Sequence, residues 1–198
     1  MATVETNHLE SAQPAVKRRW TYDELLAEMP ETNQPSELWD GELIMSPVPH
    51  PLHQTIVGTV YRMLYEFVAA RNLGEVYISP IDIVLSPTRV VQPDVVYISK
   101  SNFGIVTDRI RGVPDLAVEV ISQGSWRRDR VDKKALYEQF GVTEYWIVDI
   151  EARTIEVFAR VRNAYQLHGR AAGAKVAKSK LLTGFGVSFA QLETRRAS

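Results

Sequence analysis

Cysteine is absent from the 198 residues, which excludes disulfide staples, thiolate zinc sites and every mechanism that uses a cysteine nucleophile. Long apolar runs are missing as well: none approaches the ~20 residues needed to span a bilayer. The segment from Met1 to Pro14 is polar and lacks the apolar centre of a signal peptide. The expected location is therefore the cytoplasm, with no membrane partner. Excess charge of either sign is also lacking, since 23 basic and 24 acidic residues leave a net charge of −1. Affinity for nucleic acid must then come from a local basic patch and not from the global field. The chain has no Gly-rich phosphate loop, nucleophilic-serine motif, haem signature, internal repeat or low-complexity tract.

A composition of 45% hydrophobic and 24% charged residues suits one substantial core. Residues 18–198 are expected to form a single domain, preceded by a flexible tail over 1–17 that offers little to bury. Thr21-Tyr22-Asp23-Glu24 has capping-box spacing and predicts a short helix to about Met29, before Pro30. Glu37 to Met45 reads as two short strands around Asp40-Gly41, with Ser46-Pro47-Val48-Pro49 as the stop. From Leu52 to Ala70, Ile56, Val60, Met63, Leu64, Phe67 and Val68 recur at three- and four-residue intervals, which predicts the longest helix.

Strand-like runs at Glu75–Ser79, Ile81–Leu85 and Asp94–Ile98 suggest a meander, followed by Asp115–Ile121 and a helix from about Arg127 to Phe140 that Gly141 can end. Glu144–Val148, an antiparallel extension at Thr154–Ala159 and Tyr165–His168, and irregular strands over Lys175–Ala190 complete the pattern. The expected class is α/β in the broad sense, an α+β mixed sheet flanked by helices. The edges of the Thr154–His168 hairpin could support a homodimer.

Two acids interrupt otherwise apolar strands. Asp94 stands at the mouth of Val95-Val96-Tyr97-Ile98, and Glu119 has apolar neighbours on both sides in Leu116-Ala117-Val118-Glu119-Val120-Ile121. A buried, unpaired carboxylate costs several kcal/mol, so each requires a cation, a hydrogen-bond donor or a metal. If the strands are neighbours, Asp94 and Glu119 can converge on one hard cation such as Mg2+, with Mn2+ as a substitute and the Val120 carbonyl completing the protein's share. The alternative is a pair of strand-end acids matched with arginines.

Asp129, Lys133 and Tyr137 follow at i, i+4 and i+8 on one helical stripe. Lys133 either points at the metal pair, where an ammonium can orient water or offset charge on phosphate, or forms an exposed ion pair with Asp129 worth only ~0.3–0.5 kcal/mol. Arg109, Arg111, Arg127, Arg128 and Arg130 could hold a phosphate backbone, with Trp126 beside them as a stacking surface; a solvated charged face is the alternative. Asp82 could be a further pocket acid or a partly exposed strand acid.

Taken together, certain segments resemble the Uma2 group, also called DUF820, within the PD-(D/E)XK nuclease superfamily. They are Glu37-Leu38-Trp39-Asp40-Gly41-Glu42-Leu43, Ser46-Pro47 with His53, Gln92-Pro93-Asp94-Val95-Val96, and Pro114-Asp115-Leu116-Ala117-Val118-Glu119-Val120-Ile121-Ser122. Arg128-Asp129 with Lys133 and Tyr137, and Gly141 through Asp149, continue the match, in order and spacing from about Tyr22 to Phe189. The resemblance implies a restriction-endonuclease-like core and a Mg2+-dependent endonuclease acting on DNA, with Asp94 and Glu119 as the metal acids.

Many superfamily members carry the lysine two residues after the glutamate, where this chain has Ile121; the Uma2 pattern takes it from the next helix, at Lys133. Ser122-Gln123-Gly124-Ser125 departs from the family's usual Ser-Pro-Ser. His53 falls where related nucleases direct an extra polar group into the site, to contact water or phosphate, unless it only makes a local bond at the helix start. Glu37 and Glu42 fit the family pattern, although a hairpin could use them for pairing and solubility alone. Two other functions stay open: a nuclease-fold binding module without turnover, and a metal-dependent hydrolase of a small phosphate ester.

Overall fold

The computed structural model describes residues 18–29, 36–45, 48–122 and 128–193, with the side chains of Arg128 and Asp129 excepted. The expected tail over 1–17, the Ser46-Pro47 stop, and Trp126 and Arg127 lie outside the described residues, as does any pairing of Asp129.

Helix α1 covers Tyr22–Glu28, and its capping box is formed: the Thr21 hydroxyl accepts from the Glu24 N–H at 3.3 Å while the Glu24 carboxylate accepts from the Thr21 N–H at 2.8 Å. Strands β1 (Ser36–Trp39) and β2 (Glu42–Met45) form the predicted hairpin. Asp40 and Gly41 both have positive φ, 50° and 81°, the geometry of a tight two-residue turn. Helix α2 spans Pro51–Arg71 and buries Ile56, Val57, Val60, Leu64 and Val68.

There follow β3 (Gly74–Ile78), β4 (Ile83–Ser86), β5 (Arg89–Val91), β6 (Val95–Ser99), a 3-10 turn over Lys100–Ile105, β7 (Ile110–Arg111) and β8 (Leu116–Ile121). The predicted helix before Gly141 is present in two parts: a π-helical turn over Arg128–Lys133, then α3 over Lys134–Phe140, which Gly141 ends at φ 93°. The chain closes with β9 (Glu144–Asp149), β10 (Thr154–Val161), β11 (Ala164–Ala172), β12 (Val176–Lys178), β13 (Gly186–Ser188) and α4 (Phe189–Glu193).

Among the described residues the strands divide between a six-stranded sheet, β11-β10-β9-β8-β6-β3, and a five-stranded sheet, β2-β1-β5-β4-β7; β12 and β13 pair separately. The expected meander is corrected here. β3 pairs with β6 in the larger sheet, whereas β4 leaves it and forms a hairpin with β5 against β1. The sequence pattern could not separate these runs, because strands of both sheets bury apolar residues and carry the same β-rich signal. Both sheets are mixed: β8 lies parallel to β9, and β4 parallel to β7, with the other pairings antiparallel.

The larger sheet is covered on both faces, which explains why β8 and β9 are buried throughout. Alternation assigns the faces. Leu116, Val118 and Val120 pack with α2 and the C-terminal elements. Ala117 and Ile121 pack with Leu136 and Tyr137 of α3 and with Ile83, Val91 and Ile110 of the smaller sheet. A third, small cluster of Tyr22, Leu38, Val84 and Val90 seats α1 on the smaller sheet. Among the described residues no helix is long and apolar enough to cross a membrane.

Candidate active site

β6 and β8 are antiparallel neighbours, with Val95 opposite Val118 and Val96 opposite Ala117. Continuing that register sets Asp94, just ahead of β6, opposite Glu119. The pairing is tied by a bond from the Val120 N–H to Asp94 Oδ2 at 2.7 Å. The two acids singled out in the sequence are thus brought together by ordinary strand pairing.

Glu119 shares its face of β8 with Ala117 and Ile121, so its side chain enters the layer beneath α3. There Oε1 accepts from Lys133 Nζ at 2.8 Å and from the Tyr137 hydroxyl at 2.9 Å. Two donors four residues apart converge on one oxygen because one helical stripe carries both. Lys133 is only 5% exposed. Burial makes this ammonium a charge that the interior must balance. Ile121, at the position where many relatives of the superfamily carry lysine, packs in the core instead. The helix supplies the cation that the strand lacks.

The second partner of Lys133 is Glu37 on β1, at 2.9 Å from Nζ to Oε1. Glu37 Oε1 also accepts from the Gln92 N–H at 3.1 Å, and Oε2 from Trp39 Nε1 at 3.1 Å. Burial raises the cost of ionising Glu37, but the Lys133 ammonium and these donors outweigh it and hold the carboxyl below its usual range. Burial, together with Glu119 and Glu37 nearby, pushes the Tyr137 hydroxyl well above its ordinary range, so it stays protonated and serves as a donor.

His53, in the first turn of α2, approaches from the end of the strand. Its Nε2 lies 2.8 Å from the Val120 carbonyl and 3.5 Å from Asp94 Oδ2. A carbonyl can only accept, so Nε2 carries the proton in this contact. His53 thus steadies the two segments that bear the acids.

Asp94, Glu119, the Val120 carbonyl and water would make an oxygen donor set suited to Mg2+. Two carboxylates fit that ion, which keeps several waters, better than they fit a closed protein cage. Among the described residues no group of three or more His, Cys, Asp or Glu residues surrounds a metal position.

Other candidates are elsewhere. Asp82 accepts from Tyr22 at 2.5 Å and from Gln92 Nε2 at 2.7 Å, a bridge between α1 and the segment before β6. Glu42 is exposed. Arg130 pairs with Glu156 at 2.7 Å and Asp149 at 3.4 Å over β9 and β10, and Arg111 pairs with Asp23 at 2.9 Å. Both arginines are thus paired with carboxylates of the fold. Sequence reasoning left Glu37 undecided and gave Tyr137 no role. Their available signals were the apolar neighbours Leu38 and Trp39, and the four-residue step from Lys133.

The Uma2 family model, described as "Putative restriction endonuclease", matches residues 22–191. Among solved structures the chain is similar to a crystal structure of "a putative nuclease belonging to DUF820" from Anabaena variabilis, at 18% sequence identity and a TM-score of 0.71. That match covers 87% of this chain and 97% of the other, and at such identity it establishes a shared fold. No curated protein matches the chain.

Proposed function

Because the chain belongs to the Uma2 family, we propose that it is a Mg2+-dependent endonuclease that hydrolyses DNA phosphodiester bonds, with Asp94 and Glu119 holding the cation. The observation that carries this reading is Lys133, a buried ammonium 2.8 Å from Glu119 Oε1 that the helix delivers to the acid pair. When bound, the metal supplies Lewis-acid activation of water and neutralises phosphate charge.

The protein's own groups divide the remaining work. Lys133 and Tyr137 fix the Glu119 carboxylate, and Lys133 places a positive charge where charge develops on a scissile phosphate. His53 holds the Val120 carbonyl and lies against Asp94, close enough to meet water or phosphate entering beside that acid. Residues 18–198 act as one nuclease domain, working in the cytoplasm. The test is Mg2+-dependent cleavage of supercoiled plasmid by the purified chain, with Mn2+ as substitute. Equal cleavage by wild type and Glu119→Ala would sink the assignment.

One observation favours a second reading, a nuclease-fold binding module without turnover. Lys133 bridges Glu37 and Glu119, so both acids are compensated by the protein itself. Calorimetry separates the two, since the enzyme requires saturable Mg2+ or Mn2+ binding at millimolar concentrations and the module does not. A hydrolase of a small phosphate ester would instead reveal itself by nucleotides competing with DNA for the site.

A further inference from the structure

We infer that Glu37 is a positioning residue for Lys133, the anchor that keeps this ammonium at the site when a divalent cation takes up the charge of Glu119. The inference rests on the nuclease reading for what Lys133 does there, and on the geometry for how it is held. Glu37 is 2% exposed, and its carboxylate is fixed by donors from three places: Trp39 on its own strand, Gln92 ahead of β6, and Lys133 in the turn that leads into α3. Gln92 is itself held by Asp82, which also takes the Tyr22 hydroxyl, so the anchor extends through the smaller sheet to α1.

The position of Gln92 links this anchor to the metal pair. Only Pro93 separates it from Asp94, so one short segment presents both the N–H that fixes Glu37 and the acid that faces Glu119. Lys133 lies between carboxylates from the two different sheets, Glu37 on β1 and Glu119 on β8. A buried ammonium with Glu119 as its one counter-ion would compete with a cation for that carboxylate, and would be left uncompensated once the cation was bound. Glu37 removes both difficulties. It belongs to the other sheet, is held in place by two neutral donors besides Lys133, and does not have to move when Glu119 changes partner.

The test is a double-mutant cycle on the full chain, with Glu37→Gln, Lys133→Met and the two combined, read by Mn2+ calorimetry and by single-turnover cleavage. Glu37→Gln is expected to weaken Mn2+ binding and slow the cleavage step, each by about 10- to 100-fold, with little change in KM for DNA. In the Lys133→Met background the same substitution should cost almost nothing, and Glu37→Asp should recover part of the loss by restoring a charge. An equal loss with and without Lys133 overturns the inference, because Glu37 would then act independently of the lysine. If Glu37→Gln does not fold, Glu37→Asp enters the cycle in its place with a smaller expected loss and the same criterion. Wild type that binds Mn2+ but cleaves no DNA defeats the nuclease reading alone, and the Mn2+ cycle still decides the role of Glu37. Wild type that binds no Mn2+ overturns both.

Discussion

Glu119 and Glu144 are buried glutamates on adjacent parallel strands, 3% and 0% exposed, yet they are compensated in different ways. Glu144 opens β9 on the face shared with Trp146 and accepts from four neutral donors. Trp146 Nε1 and Ser179 Oγ bind one oxygen at 2.7 and 2.6 Å, and the N–H groups of Lys180 and Leu181 bind the other at 2.7 and 2.8 Å. That acid is a clasp, holding the segment after β12 to the sheet. Glu119 lies near the opposite end of β8 on the other face, bound by a buried ammonium and a tyrosine hydroxyl, with a second acid, Asp94, across the strand. Burial alone therefore does not mark a reactive carboxylate. What sets Glu119 apart is a charged partner that it shares with a second acid, Glu37, and a neighbouring carboxylate, Asp94.

The strongest way to break this contrast is to truncate both acids. Glu119→Ala should abolish cleavage, by on the order of 10³-fold or more, while leaving a folded protein. Glu144→Ala should leave cleavage per folded molecule unchanged but lower stability by about 3 kcal/mol, since four buried donors lose their acceptor. Plasmid cleavage and urea unfolding of the two variants read out both halves; a dead but fully stable Glu144→Ala would erase the distinction.

Lys133→Met comes next, with an expected loss of about 10²-fold in cleavage and an altered dependence of stability on pH. In the wild type Glu37 titrates below its usual value of 4.5, so its contribution is present above that pH and is lost as pH falls through the lower, folded value. Without the ammonium, burial makes Glu37 favour protonation instead, so the variant is least stable at neutral pH and gains on acidification. Urea midpoints measured from pH 7 to pH 4 should therefore converge; parallel curves would show that Lys133 does not compensate Glu37.

Tyr137→Phe is expected to be milder, about 1–2 kcal/mol in stability and a several-fold loss in cleavage, because Lys133 still holds the same oxygen. The smallest effect belongs to Arg62→Ala. Its pair with Glu66, at 3.2 Å, is an exposed i, i+4 contact on α2, so thermal unfolding should change by no more than about 0.5 kcal/mol and cleavage not at all.

Local rules made much of this fold legible. The capping box at Thr21, the Asp40-Gly41 turn, the apolar stripe of α2 and the Gly141 stop each depend on contacts within a few residues, and each is present. The acid pair was legible for another reason: a carboxylate in an apolar strand is costly wherever the strand goes, so Asp94 and Glu119 stood out before their partners were known. The same rule applies to Glu144, with Tyr145 and Trp146 after it, and gives no means of separating clasp from site. Three features were not legible. The break between β3 and β4 depends on which sheet each strand joins. The ion pairs of Arg130 depend on Asp149 and Glu156 of later strands, and the place of Glu37 depends on a sheet whose existence the pattern did not imply.

The sequence by itself therefore determined the elements, the family pattern and the presence of two strand acids, Asp94 and Glu119, that the fold has to compensate. Tertiary structure alone decided that Lys133 is buried, that Tyr137 shares its acceptor, and that Glu37 crosses from the smaller sheet to hold it. The physical reason is one of range. Helical and strand periodicity are set by neighbours along the chain, whereas the partner of a buried charge is set by whichever distant segment packs against it.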